Sequence, residues 1–218
     1  MPTALEQEAV QTYERSVAMR DRIDSGDEPW SSLADFFTED AVYIDPAWGR
    51  QEGREVIRQF FVDSMAGLTG YGWSTPEMWT MVDGHRLVSQ WDQVLGQKPD
   101  GGEWRVPGLS ILYYAGNGQF CYSHDMLNMT YIGETLKAMQ WQPPAEFNMP
   151  PRKPDWSTHL PAAWQHLPDA ERSLDQIQLT VGIEVVTRAV RQGGIEIKGA
   201  DGDAAVLTWP QRTPGEAF

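Results

Sequence analysis

The sequence has few cysteines and few basic residues. Its single cysteine, Cys121, excludes an internal disulfide and a metal site built from several cysteines. Because Cys121 lies in an apolar, strand-like run, we expect a buried and unreactive thiol. Lysine and arginine number 17 against 31 acidic residues, which gives a net charge of −14. Such an acidic chain repels phosphate-rich surfaces, so we expect no binding to nucleic acid or to membranes.

The sequence also lacks segments that direct a chain to a membrane or bind common cofactors. The N-terminus shows no secretory signal pattern, and no apolar run approaches the ~18 residues of a membrane span. There is no glycine-rich phosphate loop, and no pair of histidines or cysteines has metal-ligand spacing. From these absences we predict a cytoplasmic protein that uses neither a metal nor an organic cofactor.

The order of predicted elements indicates an α+β fold in residues 1–142. Helical spacing of apolar residues predicts helices at about 4–23, 30–37, 53–65 and 128–141. Strands are predicted at 41–45, 73–82, 85–95, 104–114 and 119–127. The breaks between the last four strands are rich in glycine, asparagine and aspartate, which favours an antiparallel meander. Helices would cover one face of this sheet.

A second region begins where prolines become frequent, after residue 142. We predict that residues 143–218 form a C-terminal arm, with a proline-rich linker, a helix at about 169–191 and a possible small hairpin. The arm would pack on the first domain or on a dimer partner. It could serve in dimerisation. Alternatively, it could act as a lid formed by four large apolar side chains, namely Trp141, Phe147, Met149 and Trp156.

One predicted strand carries a candidate acid–base pair. Tyr43 and Asp45 lie two residues apart, so both face the same side, while Val42 and Ile44 face the other side as core. A buried carboxylate needs a partner, which a neighbouring phenol can supply. The alternative for Asp45 is a structural one, because aspartate before a proline often caps a turn.

Three motifs resemble the SnoaL-like, or nuclear transport factor 2-like, superfamily. They are Phe-Phe-Thr-Glu-Asp-Ala-Val at 36–42, Gly-Arg-Glu-Val-Ile at 53–57 and Tyr-Ala-Gly-Asn-Gly at 114–118, and the resemblance spans about residues 5–141. It implies a cone in which a curved antiparallel sheet and its helices enclose a deep pocket. The superfamily includes isomerases, dehydratases, cyclases, epoxide hydrolases and non-catalytic binding modules, so the motifs indicate the fold better than the reaction.

Similarity to the ketosteroid isomerases would make Asp45 the catalytic base. The two oxyanion donors of those enzymes, a tyrosine and an aspartate, align with Met19 and Ser110. Both donors are thus missing or weakened, and an enolate without strong donors loses several kcal/mol of stabilisation. The alignment therefore argues against steroid isomerisation.

Similarity to the limonene epoxide hydrolases selects further residues. Their water-binding pair aligns with Tyr43 and Asp45, their Arg-x-Asp with Gln90 to Asp92, and their base with Asp125. Without the arginine, two carboxylates sharing a pocket should repel, and one would bind a proton more readily. Asp92 could instead lie on a solvated strand face, and Asp125 could cap the closing helix.

Histidines offer another option, because dehydratases of this superfamily use them in the pocket. His124 alternates with Asp125 along its strand, so it reaches the pocket only if a bulge intervenes. His85 follows an Asp-Gly turn and would lie at a strand start. Both stay among the candidates.

We therefore predict a cofactor-independent acid–base enzyme, acting on a small apolar or aromatic molecule. The first choice is a lyase, by dehydration or by a retro-aldol cleavage such as loss of formaldehyde. The alternatives are an epoxide hydrolase or epoxide-opening cyclase, and a non-catalytic ligand-binding module. The predicted catalytic residues are Asp45, Tyr43, Asp92, Asp125 and His124. The predicted substrate-binding residues are Trp48, Gln90, Ser110, Met19 and His85. We expect a homodimer.

Overall fold

The protein is described from a computed structural model. The structure describes residues 2–68 and 72–167, together with the backbone of two strands at 196–201 and 204–208. The chain divides into two compact units, Met1–Ala170 and Glu171–Phe218. The first unit therefore extends beyond the predicted boundary after residue 142. The helix predicted at about 169–191 lies outside the described residues.

The first unit is an α+β cone. Its α-helices are α1 (Ala4–Asp24), α2 (Arg54–Ser64) and α3 (Met129–Ala138), and its 3-10 helices are Trp30–Phe36 and Ala162–Trp164. Its strands are β1 (Phe37–Asp45), β2 (Gly49–Glu52), β3 (Glu77–Asp83), β4 (Arg86–Gln97), β5 (Glu103–Gly116) and β6 (Gln119–Leu127). In the second unit, β7 (Glu196–Asp201) and β8 (Ala204–Thr208) pair antiparallel, as expected for the predicted hairpin.

Two helix starts depend on side-chain caps. A capping box begins α1, because the Glu6 amide donates to Thr3 Oγ1 at 3.2 Å and the Thr3 amide donates to the Glu6 carboxylate at 2.6 Å. Asn128 begins α3 by accepting the Tyr131 amide at 3.1 Å. Since Asn128 supplies this cap, Asp125 remains available for another role.

The six strands form one sheet in the order β2-β1-β6-β5-β4-β3. The predicted meander is confirmed for β3 to β6, while β1 pairs parallel with β6. The loop predicted from Pro46 to Glu52 is wrong in part, because β2 pairs antiparallel with β1. At the start of β2, Gly49 has a φ of 75° and its Cα approaches the arm so closely that a Cβ would lie 2.5 Å from the Asp155 carbonyl oxygen. Only glycine fits there.

One face of the sheet packs against α1, α2 and the first 3-10 helix, and these contacts form the main core. The opposite face is covered by the chain after α3. Its apolar cluster comprises Val42, Ile44, Cys121, Tyr122, Leu160 and Leu167. Arg50 Nη1 donates to the His159 carbonyl at 2.8 Å and fixes this segment to β2. Burial raises the pKa of the Cys121 thiol to about 12, which fits an unreactive side chain.

Within the described residues, no helix is both long enough and apolar enough to cross a bilayer.

Candidate active site

A cavity of about 190 Å³ lies between the concave face of the sheet and the covering helices. Its walls are mainly apolar, and many of the apolar side chains are aromatic. The aromatic lining residues, besides two tyrosines, are Trp30, Phe36, Phe37, Phe60, Phe61, Trp73, Trp91 and Phe120. An apolar cavity with a few polar groups is the usual form of a small-molecule site. The polar lining groups therefore determine what chemistry the cavity can support.

The strand register brings Tyr43 and Asp125 together in this cavity. The Tyr43 hydroxyl donates to Asp125 Oδ2. Ser110 stands opposite Asp125 across the β5–β6 pair, and its hydroxyl donates to Asp125 Oδ1 at 2.6 Å. Removal from water raises the pKa of Asp125, while the two hydroxyl donors lower it in part. Burial and the nearby Asp125 charge also raise the pKa of Tyr43, which keeps the phenol a neutral donor.

Trp91 extends this hydrogen-bonded group onto β4. Its Nε1 donates to the Ser110 hydroxyl oxygen at 2.8 Å, so the Ser110 proton is directed to Asp125. The indole fits because its cross-strand neighbour is Gly108, where a Cβ would lie 2.8 Å from the ring. A chain of donors thus runs from Trp91 through Ser110 to Asp125.

Asp45 lines the same cavity and also holds the turn after β1. Its Oδ1 accepts the amides of Ala47 and Trp48, both at 2.7 Å, so the expected turn-capping role is real. Its Oδ2 has no hydrogen-bond partner among the described residues. Burial is the main cause that raises the pKa of Asp45 to about 6, and the Asp125 charge adds to it. Asp45 therefore combines a fixed position with one free oxygen.

Helix α1 supplies a polar wall that the sequence interpretation missed. Tyr13, Ser16, Arg20 and Asp24 all line the cavity. They follow each other at spacings of three or four residues, which places them on one helix face. That spacing was the available signal. Burial raises the pKa of Asp24 to about 6.

Residues 17–122 match the SnoaL-like domain family. The chain contains a SnoaL-like domain. The match runs from α1 into β6 and confirms the resemblance carried by the three motifs. No curated protein sequence matches the chain.

Several solved structures are similar to the SnoaL-like domain. A protein of Jannaschia sp. CCS1 assigned as a SnoaL-like polyketide cyclase is 17% identical, with 66% of this chain and 99% of that chain covered and a TM-score of 0.49. An LEH-like epoxide hydrolase of M. tuberculosis is 13% identical, with 61% and 92% covered and a TM-score of 0.46. An epoxide hydrolase/cyclase-like enzyme of pyran ring formation in salinomycin is 16% identical, with 57% and 94% covered and a TM-score of 0.44. Because these values are low, the assignment rests on the sequence match.

Four of the ten predicted site residues of the SnoaL-like domain line the cavity, namely Tyr43, Asp45, Ser110 and Asp125. The expectation that Asp92 faces the cavity is wrong. Leu87, Ser89 and Trp91 take the inward positions of β4, so Gln90 and Asp92 must point outward. Asp92 accepts from Arg105 Nη1 at 3.1 Å, and Gln90 accepts from the Trp79 indole.

His124 also points away from the cavity of the SnoaL-like domain. The β5–β6 register has no bulge between His124 and Asp125, so the two side chains point to opposite faces of the sheet. The His124 ring lies edge-on to Tyr122 on the outer face, 6.4 Å between centroids. His85 is placed in a turn, where its Nδ1 lies 2.7 Å from the Tyr114 carbonyl oxygen. Neither histidine lines the cavity.

The remaining two candidates lie beside the cavity without lining it. Met19 packs at the edge of the core, and its neighbour Arg20 takes the inward position on α1. Trp48 packs against Phe60, 5.9 Å between ring centroids, and so supports an aromatic wall from behind.

The lid remains a prediction, and the structure places only two of its four residues beside the cavity. The Trp141 ring packs on the cavity-lining Trp73 at 5.7 Å, and Phe147 packs on Trp141 at 5.4 Å. Met149 and Trp156 are 73% and 53% exposed, so they close nothing in this conformation.

The close fit of Trp91 over Gly108 gives a testable expectation. In Gly108→Ala, the new methyl group would overlap an indole that is 4% exposed and hydrogen-bonded. We expect the free energy of unfolding to fall by about 1–3 kcal/mol, as for other overpacked cores. Denaturant titration measures it. Gly133→Ala in α3 is the matched control, because its Cβ meets nothing within 4 Å. Equal free energies of unfolding for the two variants would contradict the close packing of Trp91 on Gly108.

Proposed function

We propose that the SnoaL-like domain is a cofactor-independent acid–base enzyme for a small, largely apolar or aromatic molecule. One observation carries the proposal. Asp45 presents a free carboxylate oxygen to an aromatic cavity that also holds the hydrogen-bonded pair of Tyr43 and Asp125. Two carboxyl groups with different environments can divide the acid and base roles between them.

Asp45 is suited to the base role. With a pKa of about 6, it is mostly ionised at neutral pH and still binds a proton readily, which is the balance that general base catalysis requires. Its Oδ1 is fixed by two backbone amides, so the free Oδ2 needs no reorganisation. Asp125 takes the acid role, since burial favours its protonated form, and Tyr43 orients the substrate or passes on a proton.

The reaction class that we propose is a lyase acting on a β-hydroxy carbonyl compound. Asp45 accepts the hydroxyl proton, and the bond between the carbinol carbon and the α-carbon breaks. The electron pair moves into the carbonyl to form an enolate, and the carbinol carbon leaves as an aldehyde such as formaldehyde. Asp125 then protonates the enolate. Dehydration of the same substrate uses the same two groups, with proton removal at the α-carbon and protonation of the departing hydroxyl.

Epoxide opening is the second candidate, because Tyr43 and Asp125 lie together as the epoxide hydrolase template requires. The glutamine at position 90 weighs against it, because β4 then supplies no cation between the carboxyl groups, and Gln90 also points outward. A binding module remains the non-catalytic rival.

A substrate panel tests these proposals. Aryl β-hydroxy ketones with a terminal hydroxymethyl group and limonene epoxide would be offered to the whole chain. Released formaldehyde, the enone and the diol are distinguished by mass spectrometry. Any product should be lost or strongly reduced in Asp45→Asn. Asp92→Asn is the matched control, because Asp92 is a carboxylate on the outer face of the sheet. Ligand binding measured by tryptophan fluorescence, with no product from any compound, would favour the binding module.

The pKa of Asp45 predicts the pH dependence of turnover. The base must be ionised, so kcat/KM should reach a plateau above pH 6 and fall about tenfold per pH unit below it. The decline should move or disappear in Asp45→Asn if any activity remains. A flat profile between pH 5 and 7 would contradict the assigned base, while a profile unchanged in Asp92→Asn is the expected control.

A further inference from the structure

The α1 wall contains a basic side chain to which the proposed reaction gives no role. Arg20 is the only arginine or lysine among the described residues that line the cavity, and its side chain is 18% exposed. Placing a basic residue in a mainly apolar cavity costs free energy, because its charge loses part of its hydration, and a bound anion would offset that cost.

The neighbours of Arg20 balance its charge and leave its donors free. The Glu77 carboxylate accepts hydrogen bonds from the hydroxyl groups of Tyr13 at 2.8 Å, Ser89 at 2.7 Å and Thr80 at 3.2 Å. Arg20 Nη2 lies 3.9 Å from Glu77 Oε2, which is too long for a hydrogen bond. Glu77 is thus satisfied by hydroxyl groups and acts on Arg20 only through its charge.

The hydrogen bonds that Arg20 does make are few and long. Nη1 donates to Thr75 Oγ1 at 3.2 Å, and Nη2 donates to the Tyr13 hydroxyl at 3.4 Å. A guanidinium has five N–H donors, so the others have no partner among the described residues. Contacts with α1, with β3 and with the segment before it hold the group in place.

We propose that Arg20 forms an anion-binding subsite of the cavity, and that the natural ligand is a small aromatic molecule that bears a carboxylate. The inference rests on the proposed function in taking this cavity as the site where the small molecule binds. A planar guanidinium with free donors matches a carboxylate in shape and charge. Asp24, Asp45 and Asp125 line the same cavity and oppose an anion, so recognition depends on Arg20 alone.

Matched probes test the subsite without requiring turnover. The affinities of the whole chain for 3-phenylpropanoate, 3-phenylpropanamide and 3-phenylpropylamine would be measured by calorimetry. We expect the acid to bind about 10- to 100-fold more tightly than the neutral amide, as charge-assisted bonds allow. Arg20→Gln should abolish this ratio and leave the affinity for the amide unchanged. Arg20→Lys should keep part of the ratio, because the charge remains without the planar fork.

The control is Arg22→Gln, which removes the same charge from an exposed position of the same helix. It should keep the acid preference. An acid preference that survives Arg20→Gln, or tighter binding of the amine than of the acid to the unaltered protein, would overturn the subsite. Should Arg20 determine acid binding while no panel compound is converted, the subsite stands and the enzyme proposal fails. If turnover depends on Asp45 but the protein shows no preference for the acid, the enzyme proposal stands and the subsite fails.

Discussion

Asp45→Asn should lower kcat/KM by about 10²–10⁴-fold, the usual contribution of a positioned general base. The amide oxygen can still accept the Ala47 and Trp48 amides, so the turn after β1 should persist and ligand affinity should change little. The loss would therefore appear in kcat more than in KM. Steady-state kinetics on any compound that the panel identifies measures it. Asp92→Asn, on the outer face, should leave kcat unchanged.

The same substitution should raise stability. The folded-state pKa of Asp45 is about 6 against an ordinary value of 3.8, so the native state binds a proton more readily than the unfolded chain. The contribution of this group to stability is greatest below the unfolded pKa and is lost as pH rises through 6. At pH 7.5, replacing the charge with a neutral amide should add about 1–3 kcal/mol to the free energy of unfolding.

This gain has a clear pH signature. Near pH 4, Asp45 is already neutral in the folded protein, so the stability of Asp45→Asn and of the parent should converge there. Denaturant titrations at pH 4.5 and 7.5 would show it. A variant that is less stable than the parent at pH 7.5 would mean that the Asp45 charge supports the fold. The hypothesis that the protein loses stability by keeping Asp45 as a catalytic base would then be wrong.

The sequence predicted the architecture because local signals agreed with each other. The helical spacing of apolar residues, the Asp-Gly and Gly-Asn-Gly turns and the strand alternation all indicated the same fold, and the structure has it. Tyr43 and Asp45 were found because strand geometry alone places them on one face. Asp125 was found through the resemblance, and the register with Ser110 explains its position.

The errors arose where a shift of one residue along a strand or helix changes which side chain faces the cavity. On β4, apolar residues occupy both alternating sets, with Leu87 and Trp91 on one and Val88 and Val94 on the other, so the inward face is ambiguous from sequence. The packing of Trp91 over Gly108 resolves it, and that contact joins different strands. On α1, Met19 was chosen although Arg20 faces inward, because the alignment did not determine which face of the helix points to the cavity. Long-range packing, which propensity does not contain, decided both cases.

The hydrogen-bonded pair of Tyr43 and Asp125 should behave as one unit. Tyr43→Phe leaves Asp125 with one hydroxyl donor instead of two, which makes its charged form less favourable and shifts its pKa further upward. Asp125→Asn removes the acid and leaves a single amide oxygen to accept from both the Tyr43 and the Ser110 hydroxyl groups. We expect each change to lower kcat about 100-fold. Groups that act together are strongly non-additive, so the double variant should lose little more than the worse single one.

A double-mutant cycle on kcat measures this coupling, with Tyr122→Phe as the control. Tyr122 stands on β6 like Asp125, but its hydroxyl donates to the Thr158 carbonyl at 3.1 Å on the outer face. Its loss should reduce stability by about 1 kcal/mol, the net worth of a typical hydrogen bond, and leave kcat intact. If the effects of Tyr43→Phe and Asp125→Asn instead multiply to about 10⁴-fold, the two groups act in separate steps. Asp125 would then need another route for its proton, and Ser110, which donates to its second oxygen and is itself held by Trp91, is the group placed to provide it.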